Sequence, residues 1–400
     1  MAEPLAPFGV SPAELSVLGR SLAETQDRAV AEAGLGPIGD SHTGRQLVLG
    51  DHTWVTPELL RRFVAVCPEG GGQLAIRGPF ADFSASLQDL PEEGALRRLP
   101  VAIAGGPVDA QQMAALPAVE VDLAESIHKM PDQHPAWSHA TNNEIPVTDA
   151  MAHTVSHWSH LMRVNLLAFT ALFEGHRRRF DAAPWWRKAI GGAKLVAKAR
   201  SVNPWRLARA LGDWGKGCNV HPTATVEASV LGDGVEIGPH AVVRGCWLGD
   251  GVRVAEHARM NLTVAHEGAQ FARGVMANLC VLLEGAYLSQ GWGFQACLLG
   301  REAFVAMGAC FYDLSFGGPI KVMHRGQRVS SGTHFMGVCV GDRAKVAPNV
   351  IVSYGETIPN DAFLIADPGR IFRRIPAELP QGPVLCIDGA ITPWEAVPRQ

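Results

Sequence analysis

Related five-residue segments recur every 17 residues through the C-terminal half of this 400-residue chain. Leu231-Gly-Asp-Gly-Val returns as Leu248-Gly-Asp-Gly-Val, and weaker copies extend the series in both directions. The other copies begin at Trp214, Ala265, Leu282 and Leu299, with a later one at Val340. A fixed period is the signature of an architecture that stacks one structural unit on the next, so the fold of this half is a solenoid.

Three apolar ladders run through the repeat, and their spacing divides each unit into 6 + 6 + 5 residues. The first ladder is Trp214, Leu231, Leu248, Ala265, Leu282, Leu299 and Phe316. The second is Val220, Ile237, Val254, Phe271, Leu288, Val305 and Val322, and the third is Val226, Val243, Met260, Ala277, Phe294 and Phe311. A chain that points one large apolar residue inward every six residues turns three corners per coil. Each short strand then pairs with its copies in the neighbouring coils.

Small residues form a further stack, three places after the third ladder. Its members are Ser229, Cys246, Thr263, Cys280 and Cys297. The 8 cysteines of the chain show no CxxC or metal-finger spacing. We therefore interpret the cysteines of this stack as small packing residues of a narrow core in a reducing compartment.

The repeat resembles that of the hexapeptide-repeat transferases, and the segment Ile365-Ala-Asp-Pro-Gly-Arg-Ile-Phe resembles the usual end of their solenoid. The resemblance covers residues 214–372 and implies a left-handed parallel β-helix in a homotrimer. It also implies acyl transfer from acyl-CoA or an acyl-carrier protein to a hydroxyl or amine of a sugar-nucleotide-like or other small acceptor. The γ-class carbonic anhydrases use the same fold with zinc, but their closely spaced histidine pair has no clear counterpart in this repeat.

Outward-facing histidines are the candidate catalytic groups of the repeat. His240 and His257 occupy equivalent places in successive coils, so their rings are predicted to stack on an outer face. In enzymes of this family an exposed histidine near the subunit seam takes the proton of the acceptor. His266 is a third candidate for this role, and Asn261 and Asn278 are predicted substrate-binding amides. Each histidine could instead be a solvated surface residue.

An interruption of the repeat, at about residues 313–339, is predicted to form a hairpin around Arg325-Gly326. Insertions in such solenoids occur at loops, which commonly carry function. His324 and His334 are therefore weaker candidates for substrate binding. Residues 373–400 are interpreted as a C-terminal tail.

Residues 1–125 are predicted to be an α/β domain in which strands alternate with helices. Ser21-Leu-Ala-Glu24 is a capping box that opens a helix. The region resembles a degenerate sugar-phosphate nucleotidyltransferase domain, and Asp51, which follows a predicted strand, matches the nucleotide-binding position of that family. The Gly-rich phosphate loop is replaced by Pro7-Phe-Gly-Val-Ser11, so nucleotidyl transfer is not expected.

Residues 126–213 are interpreted as a His-rich loop followed by a basic helical linker. His153, His157 and His160 have the spacing of one helix face, where they could bind a divalent metal or make a hydrogen-bonded contact between helix and domain. From Arg163 to Lys216 there are twelve Lys/Arg and three acidic residues. Residues 185–209 therefore predict basic amphipathic helices, which either pack on the solenoid or lie on an anionic membrane surface.

The composition favours an ordinary globular protein. The net charge of −4 gives no general attraction for nucleic acid, and neither a signal peptide nor a membrane-spanning stretch is expected. A cytoplasmic protein, possibly peripheral to a membrane, is therefore predicted. Besides acyl transfer, an inactive trimeric scaffold and a metal-dependent enzyme using the His153 group stay open as alternatives.

Overall fold

The structure is a computed structural model of the chain. It describes residues 3–35, 45–88, 90–129, 144–291, 293–370, 375 and 379–396. Within them, seven α-helices are α1 (Leu22–Glu32), α2 (Pro57–Val66), α3 (Pro79–Ser84), α4 (Ala110–Ala115), α5 (Trp158–Ala182), α6 (Trp185–Ala199) and α7 (Pro204–Ala210). Short 3-10 turns cover Pro12–Glu14, Pro368–Arg370 and Trp394–Ala396. No helix among these residues is both long and apolar enough to cross a bilayer.

The C-terminal half is a parallel β-solenoid with three faces. The first face has 8 strands: Asp213–Trp214, Val230–Leu231, Trp247–Leu248, Val264–Ala265, Val281–Leu282, Leu298–Leu299, Cys339–Val340 and Thr357–Ile358. The second face has 8: Asn219–Val220, Glu236–Ile237, Arg253–Val254, Gln270–Phe271, Tyr287–Leu288, Phe304–Val305, Lys345–Val346 and Phe363–Leu364. The third face has 5: Thr225–Glu227, Val242–Arg244, Arg259–Asn261, Met276–Asn278 and Phe294–Gln295, and the separate pair Cys310–Phe311 with Ile351–Val352 follows.

The register between coils is the predicted one. Leu231 pairs with Leu248 and Leu248 with Ala265, 17 residues apart each time. The ladder residues fill the interior, and every member of the Ser229–Cys297 stack is buried. The 17-residue solenoid is therefore confirmed, and its left-handed sense stays a prediction.

The two glycines of the repeated Gly-Asp-Gly corner serve different purposes. A Cβ on Gly232 would lie 2.7 Å from the backbone nitrogen of Asp250 in the next coil, so only glycine fits. Gly234 has a φ of +66°, a conformation that side chains disfavour. Between them the Oδ1 of Asp233 accepts the backbone N–H of Lys216, which ties each corner to its neighbour.

The interruption of the repeat differs from the prediction in one respect. Lys321–His324 and Gln327–Ser330 form the expected antiparallel hairpin. However, Leu299 pairs with Val340, so Phe316 and Val322 are not members of the first and second ladders. Phe316 is instead 82% exposed, and Val322 is buried in the hairpin. Beyond the hairpin Val340 pairs with Ile358, which makes that coil 18 residues long.

The N-terminal region is a mixed α/β layer. Its main sheet runs Gln46–Leu49, Leu96–Ala104, Gly72–Ile76 and Ala118–Glu120, with Glu92–Glu93 on Leu96–Ala104, and only the Gly72–Ile76/Ala118–Glu120 pair is parallel. Two-stranded pairs are Ser16–Val17 with Arg20–Ser21, Ser126–Lys129 with Glu144–Val147, and Thr53–Val55 with Ala152–Thr154. The capping box at α1 is confirmed. Ala152–Thr154 belongs to this layer, although the sequence suggested part of a linker.

Helix α5 joins the N-terminal layer to the first face of the solenoid. Trp158, Leu161 and Val164 of α5 share one hydrophobic core with Val264 and Val281 of the first face. The solenoid interior forms a second, separate core. The first face is therefore covered, and the second and third faces face outward in this chain. In the tail, Val384–Ile387 and Ala390–Pro393 form a hairpin.

Candidate functional site

His240 and His257 lie on the corner between the second and third faces, one coil apart. Both have positive φ, +56° and +60°, which directs the corner outward. Their ring centroids are 5.2 Å apart and the ring planes differ by 17°, so the imidazoles stack as the repeat predicts. Both side chains are exposed. Backbone bonds fix the corner, because His257 N–H donates to Pro239 O at 3.0 Å and His240 N–H donates to Thr223 Oγ1 at 3.0 Å.

The histidine stack forms a ridge between two open hollows. The hollow of about 750 Å³ on the second face includes Pro239 and Glu256 in its wall. The hollow of about 780 Å³ on the third face includes Val242 and Arg259, each two residues after a ridge histidine. Two reactants bound on the two faces would therefore meet at this ridge.

A carboxylate accompanies the ridge. The pKa of Glu256 is lowered mainly by a hydrogen bond from its own backbone N–H, against the raising effect of burial, with further lowering from Arg273 and His257. Arg273 Nε lies 2.5 Å from Glu256 Oε1. The ionised carboxylate can stabilise positive charge that develops on His257 when the imidazole takes a proton.

A ladder of amides forms the floor of the hollow on the third face, which we call the amide groove. Asn261 Nδ2 donates to Asn278 Oδ1 at 3.3 Å, and Asn278 Nδ2 donates to Gln295 Oε1 at 3.1 Å. Gln295 Nε2 then donates to Asp313 Oδ2 at 2.7 Å. Burial raises the pKa of Asp313. The predicted amides Asn261 and Asn278 thus lie together, and Gln295 and Asp313 extend their row.

Aromatic side chains at the start of the interruption border the amide groove. Phe316 and Tyr312 line it and are 82% and 49% exposed. Arg244 and Arg259 line it on the side of the earlier coils. An amide row beside exposed aromatic rings and guanidinium groups suits a polar acceptor that carries hydroxyls and negative charge. Gln295, Asp313 and Phe316 were missed because their place in the repeat depends on where the interruption begins.

His266 is in a different setting from the ridge. It follows the first-face strand Val264–Ala265, is completely buried under α5, and its Nε2 donates to Asn165 Oδ1 at 3.0 Å. Its Nδ1 lies 3.3 Å from Glu284 Oε1. Hydrogen bonds from His266 and Ser16 lower the pKa of Glu284 to about 2, although burial alone would raise it. His266 therefore holds the two parts of the chain together, and it is not reached by solvent.

The other predicted histidines do not join the ridge. His324 lies in the hairpin with its ring centroid 5.6 Å from that of His157, and His334 Nδ1 is 3.2 Å from Ser315 O. Asp51 is a half-buried turn residue whose carboxylate lies 3.2 Å from His52 Nδ1. Of the more N-terminal histidines, His134 and His139 fall outside the described residues.

The prediction that His153, His157 and His160 share a helix face is wrong. His153 is in strand Ala152–Thr154, His157 is the N-cap of α5, and only His160 is helical. Burial lowers the pKa of His153 and His157 to about 3, and it lowers that of His160 well below the usual value. The ring nitrogens contact backbone and hydroxyl groups: His160 Nε2 lies 2.9 Å from Ser86 O, and His157 Nδ1 lies 2.8 Å from Ser159 Oγ. Among the described residues, no group of three or more His, Cys, Asp or Glu side chains has the arrangement of a metal site.

Comparison with known proteins adds two structural matches. No protein-family model and no curated protein matches the chain. A Bacillus cereus protein assigned to the acetyltransferases matches at 15% identity, with 42% of this chain and 84% of that chain covered and a TM-score of 0.17. The polysialic acid O-acetyltransferase matches at 15% identity, with 46% and 90% covered and a TM-score of 0.16. At such identities and TM-scores, neither match assigns an activity to this chain.

Proposed function

We propose that this chain is an acyltransferase of the hexapeptide-repeat type, which moves an acyl group from a CoA or carrier-protein thioester to a hydroxyl or amine. The observation that carries the proposal is the exposed, stacked pair His240 and His257 on a ridge between two hollows. Acyl transfer needs a base within reach of the acceptor and a place for each reactant. Both requirements have a candidate at this ridge.

In the proposed reaction, His257 or His240 removes the proton of the acceptor, whose oxygen or nitrogen attacks the thioester carbonyl. The tetrahedral intermediate then expels the donor sulfur, which receives the proton from the imidazolium. Glu256 stabilises that imidazolium through its negative charge. The acceptor lies in the amide groove, where Asn278 and Gln295 can hydrogen-bond its polar groups, and a sugar-nucleotide-like molecule would suit the flanking Arg244 and Arg259.

We further propose a homotrimer with a left-handed coil, in which the ridge lies near a subunit seam. This is supported by the covering of the first face by α5, because only the second and third faces are open to another subunit. Exposed aromatic residues on the second face, among them the stacked pair Tyr287 and Phe304 at 5.0 Å, suit such contacts. Light scattering should give about three times the chain mass of 42.8 kDa.

For residues 1–125 we propose a structural role in covering the solenoid, in place of nucleotidyl transfer. The residues that would correspond to a phosphate loop include Pro12–Glu14, a 3-10 turn, and Leu5, whose N–H donates to Val10 O. This leaves few free backbone N–H groups to bind a phosphate. The proposal is supported by the shared core of this region and the first face.

The test is thiol release from acetyl-CoA, longer acyl-CoA and acyl-carrier protein, each with a panel of sugar and sugar-nucleotide acceptors. His257→Ala, His240→Ala and the double variant are compared with wild type, and exposed His176→Ala on α5 is the matched control. Loss of a general base typically costs 10²–10⁴-fold, so acceptor-dependent turnover should fall by at least about 100-fold in the double variant. Turnover retained in the double variant at the level of His176→Ala would reject the ridge as the site.

A further inference from the structure

Helix α6 presents an apolar surface to solvent. None of its residues is buried, although Trp185, Trp186, Ile190 and Val196 are large and apolar. Their exposed fractions run from 37% for Val196 to 80% for Trp185. At 100° per residue these four side chains lie within one arc of about 140°, together with Ala189, Ala193 and Ala197. We call this set of seven residues the apolar arc.

The opposite side of α6 is attached to the rest of the protein. A Cβ on Gly191 would lie 3.1 Å from the Phe180 ring of α5, so the glycine permits a close approach. Lys198 Nζ donates to Gly212 O at 2.8 Å. Helix α7, which packs against α6, is bound to the first coil by the bond from Ala228 N–H to Ala208 O at 3.0 Å. These contacts hold α6 at the first coil while its apolar arc faces outward.

The charges around the apolar arc have a single sign. Between residues 182 and 212 there is no Asp or Glu, and the basic residues are Arg187, Lys188, Lys194, Lys198, Arg200, Arg206 and Arg209. Arg187, Lys194 and Lys198 form a strip along one edge of the arc, at helical angles next to Ile190. The whole chain, in contrast, has a net charge of −4, so this basic segment is a local feature.

Further apolar residues continue the surface beyond α6. Val202 in the connection to α7 is 79% exposed, and Trp205 of α7 is 64% exposed. Trp205 also contacts the solenoid, since Arg244 Cζ lies 5.8 Å from its ring centroid. A helix with an apolar face, tryptophans and a lysine-rich edge has the composition of helices that lie in the plane of a bilayer interface.

We propose that α6 and the segment to Trp205 dock this protein on the surface of an anionic lipid bilayer. The tryptophans and Ile190 enter the boundary between headgroups and acyl chains, and the basic strip contacts the lipid phosphates. Charge decides between a bilayer and a second copy of the chain. Two copies meeting through this surface would oppose basic residues with no acidic residue between 182 and 212 to neutralise them.

The test is flotation of the full-length protein with vesicles of phosphatidylcholine alone and of phosphatidylcholine with 30–40% phosphatidylserine (about that range, for a strongly anionic surface). We expect binding to the anionic vesicles that falls steeply between low and high salt. Trp185→Glu/Ile190→Glu and, separately, Arg187→Glu/Lys194→Glu should each reduce the partition coefficient by about tenfold or more, because each basic residue near such a surface contributes several-fold. Exposed Trp394→Glu and Lys345→Glu are the matched controls and should bind like wild type.

Equal flotation with both kinds of vesicle, or unchanged flotation of the two double variants, would overturn the proposal. So would a fall in molecular mass of Trp185→Glu/Ile190→Glu by light scattering, since it would mean that the apolar arc binds a second copy. Circular dichroism establishes that each variant is folded. The salt dependence of the wild-type protein tests the electrostatic part without any substitution.

Discussion

Burial separates the histidines of this chain into two chemical classes. His153 and His160 are completely buried beside Arg163, with ring centroids 4.9 Å apart, and their low pKa values keep them neutral. Burial also lowers the pKa of the Arg163 guanidinium, to about 10. His240 and His257 are exposed and free to exchange protons with a bound molecule. The first class supports the fold, and the second is available for chemistry.

The buried class makes stability depend on pH. The pKa of His153 and of His157 is about 3 in the folded protein and 6.5 for the reference side chain. As the pH falls below 6.5 the unfolded chain takes up these protons and the folded chain does not. The free energy of unfolding should therefore decrease by about 1.4 kcal/mol per histidine for each pH unit, down to about pH 3. Urea titrations between pH 7.5 and pH 5 measure this slope.

Replacing the titrating groups identifies the source of the slope. His153→Gln/His160→Gln should be less stable than wild type at pH 7.5 and should lose stability less steeply on acidification. Val264→Ala, a buried apolar substitution that removes no titrating group, is the control and should keep the wild-type slope. An unchanged slope in the double glutamine variant would show that other groups cause the acid sensitivity.

At the level of elements, the coil is readable from sequence because its period and its interior residues repeat. Leu231, Leu248 and the corner glycines are enough to fix the register of two coils. The interruption is not readable in this way, since counting by 17 assigns Phe316 and Val322 to ladders that Val340 and Val346 occupy. Nothing in a period specifies how many residues leave the solenoid before it resumes. The amide groove was incomplete in the prediction for the same reason.

The neighbour of each face is a second limit on what the repeat can predict. His266 and Leu283 stand where Gly232 and Gly249 stand in earlier coils, and Glu284 replaces the corner aspartate. These departures are where α5 and Ser16 contact the solenoid. A loss of the Gly-Asp-Gly pattern in two successive coils was thus the available signal for a covered corner. The prediction treated His266 as a catalytic residue because the face it meets was unknown.

The coil also predicts the cost of changing its interior. Leu248 is completely buried and pairs with Leu231 and Ala265 in the coils on either side. Leu248→Ala should reduce the free energy of unfolding by about 2–5 kcal/mol, because the narrow interior has few groups that can fill the cavity. Exposed Arg253→Ala on the second face should change it by about 0.5 kcal/mol or less. Urea denaturation monitored by circular dichroism measures both, and similar effects of the two substitutions would contradict the three-ladder interior.

Over the whole molecule, one polar network crosses the junction between the N-terminal layer and the solenoid. Asn165 of α5 accepts from Leu18 N–H and His266 Nε2 on its Oδ1, and its Nδ2 donates to Ser16 O. Ser16 Oγ in turn donates to Glu284 Oε1 at 2.6 Å. Around this network lies the apolar core shared by α5 and the first face. Both parts of the chain should consequently unfold in one transition.

Glu284 offers a test of this coupling. Its pKa of about 2 lies below the ordinary 4.5, so its contribution to stability is complete above pH 4.5 and is lost as the pH falls toward 2. The side chain is 35% exposed, and after allowance for solvent screening we expect Glu284→Gln to cost about 1–2 kcal/mol at pH 7. The difference from wild type should shrink below pH 4.5. Exposed Glu267→Gln, at the same corner one coil earlier, is the matched control. Unfolding followed separately by tryptophan fluorescence and circular dichroism measures the effect. A single shifted transition is expected, because the network belongs to both parts; two separated transitions, or a difference that persists unchanged at pH 3, would mean that Glu284 does not connect them.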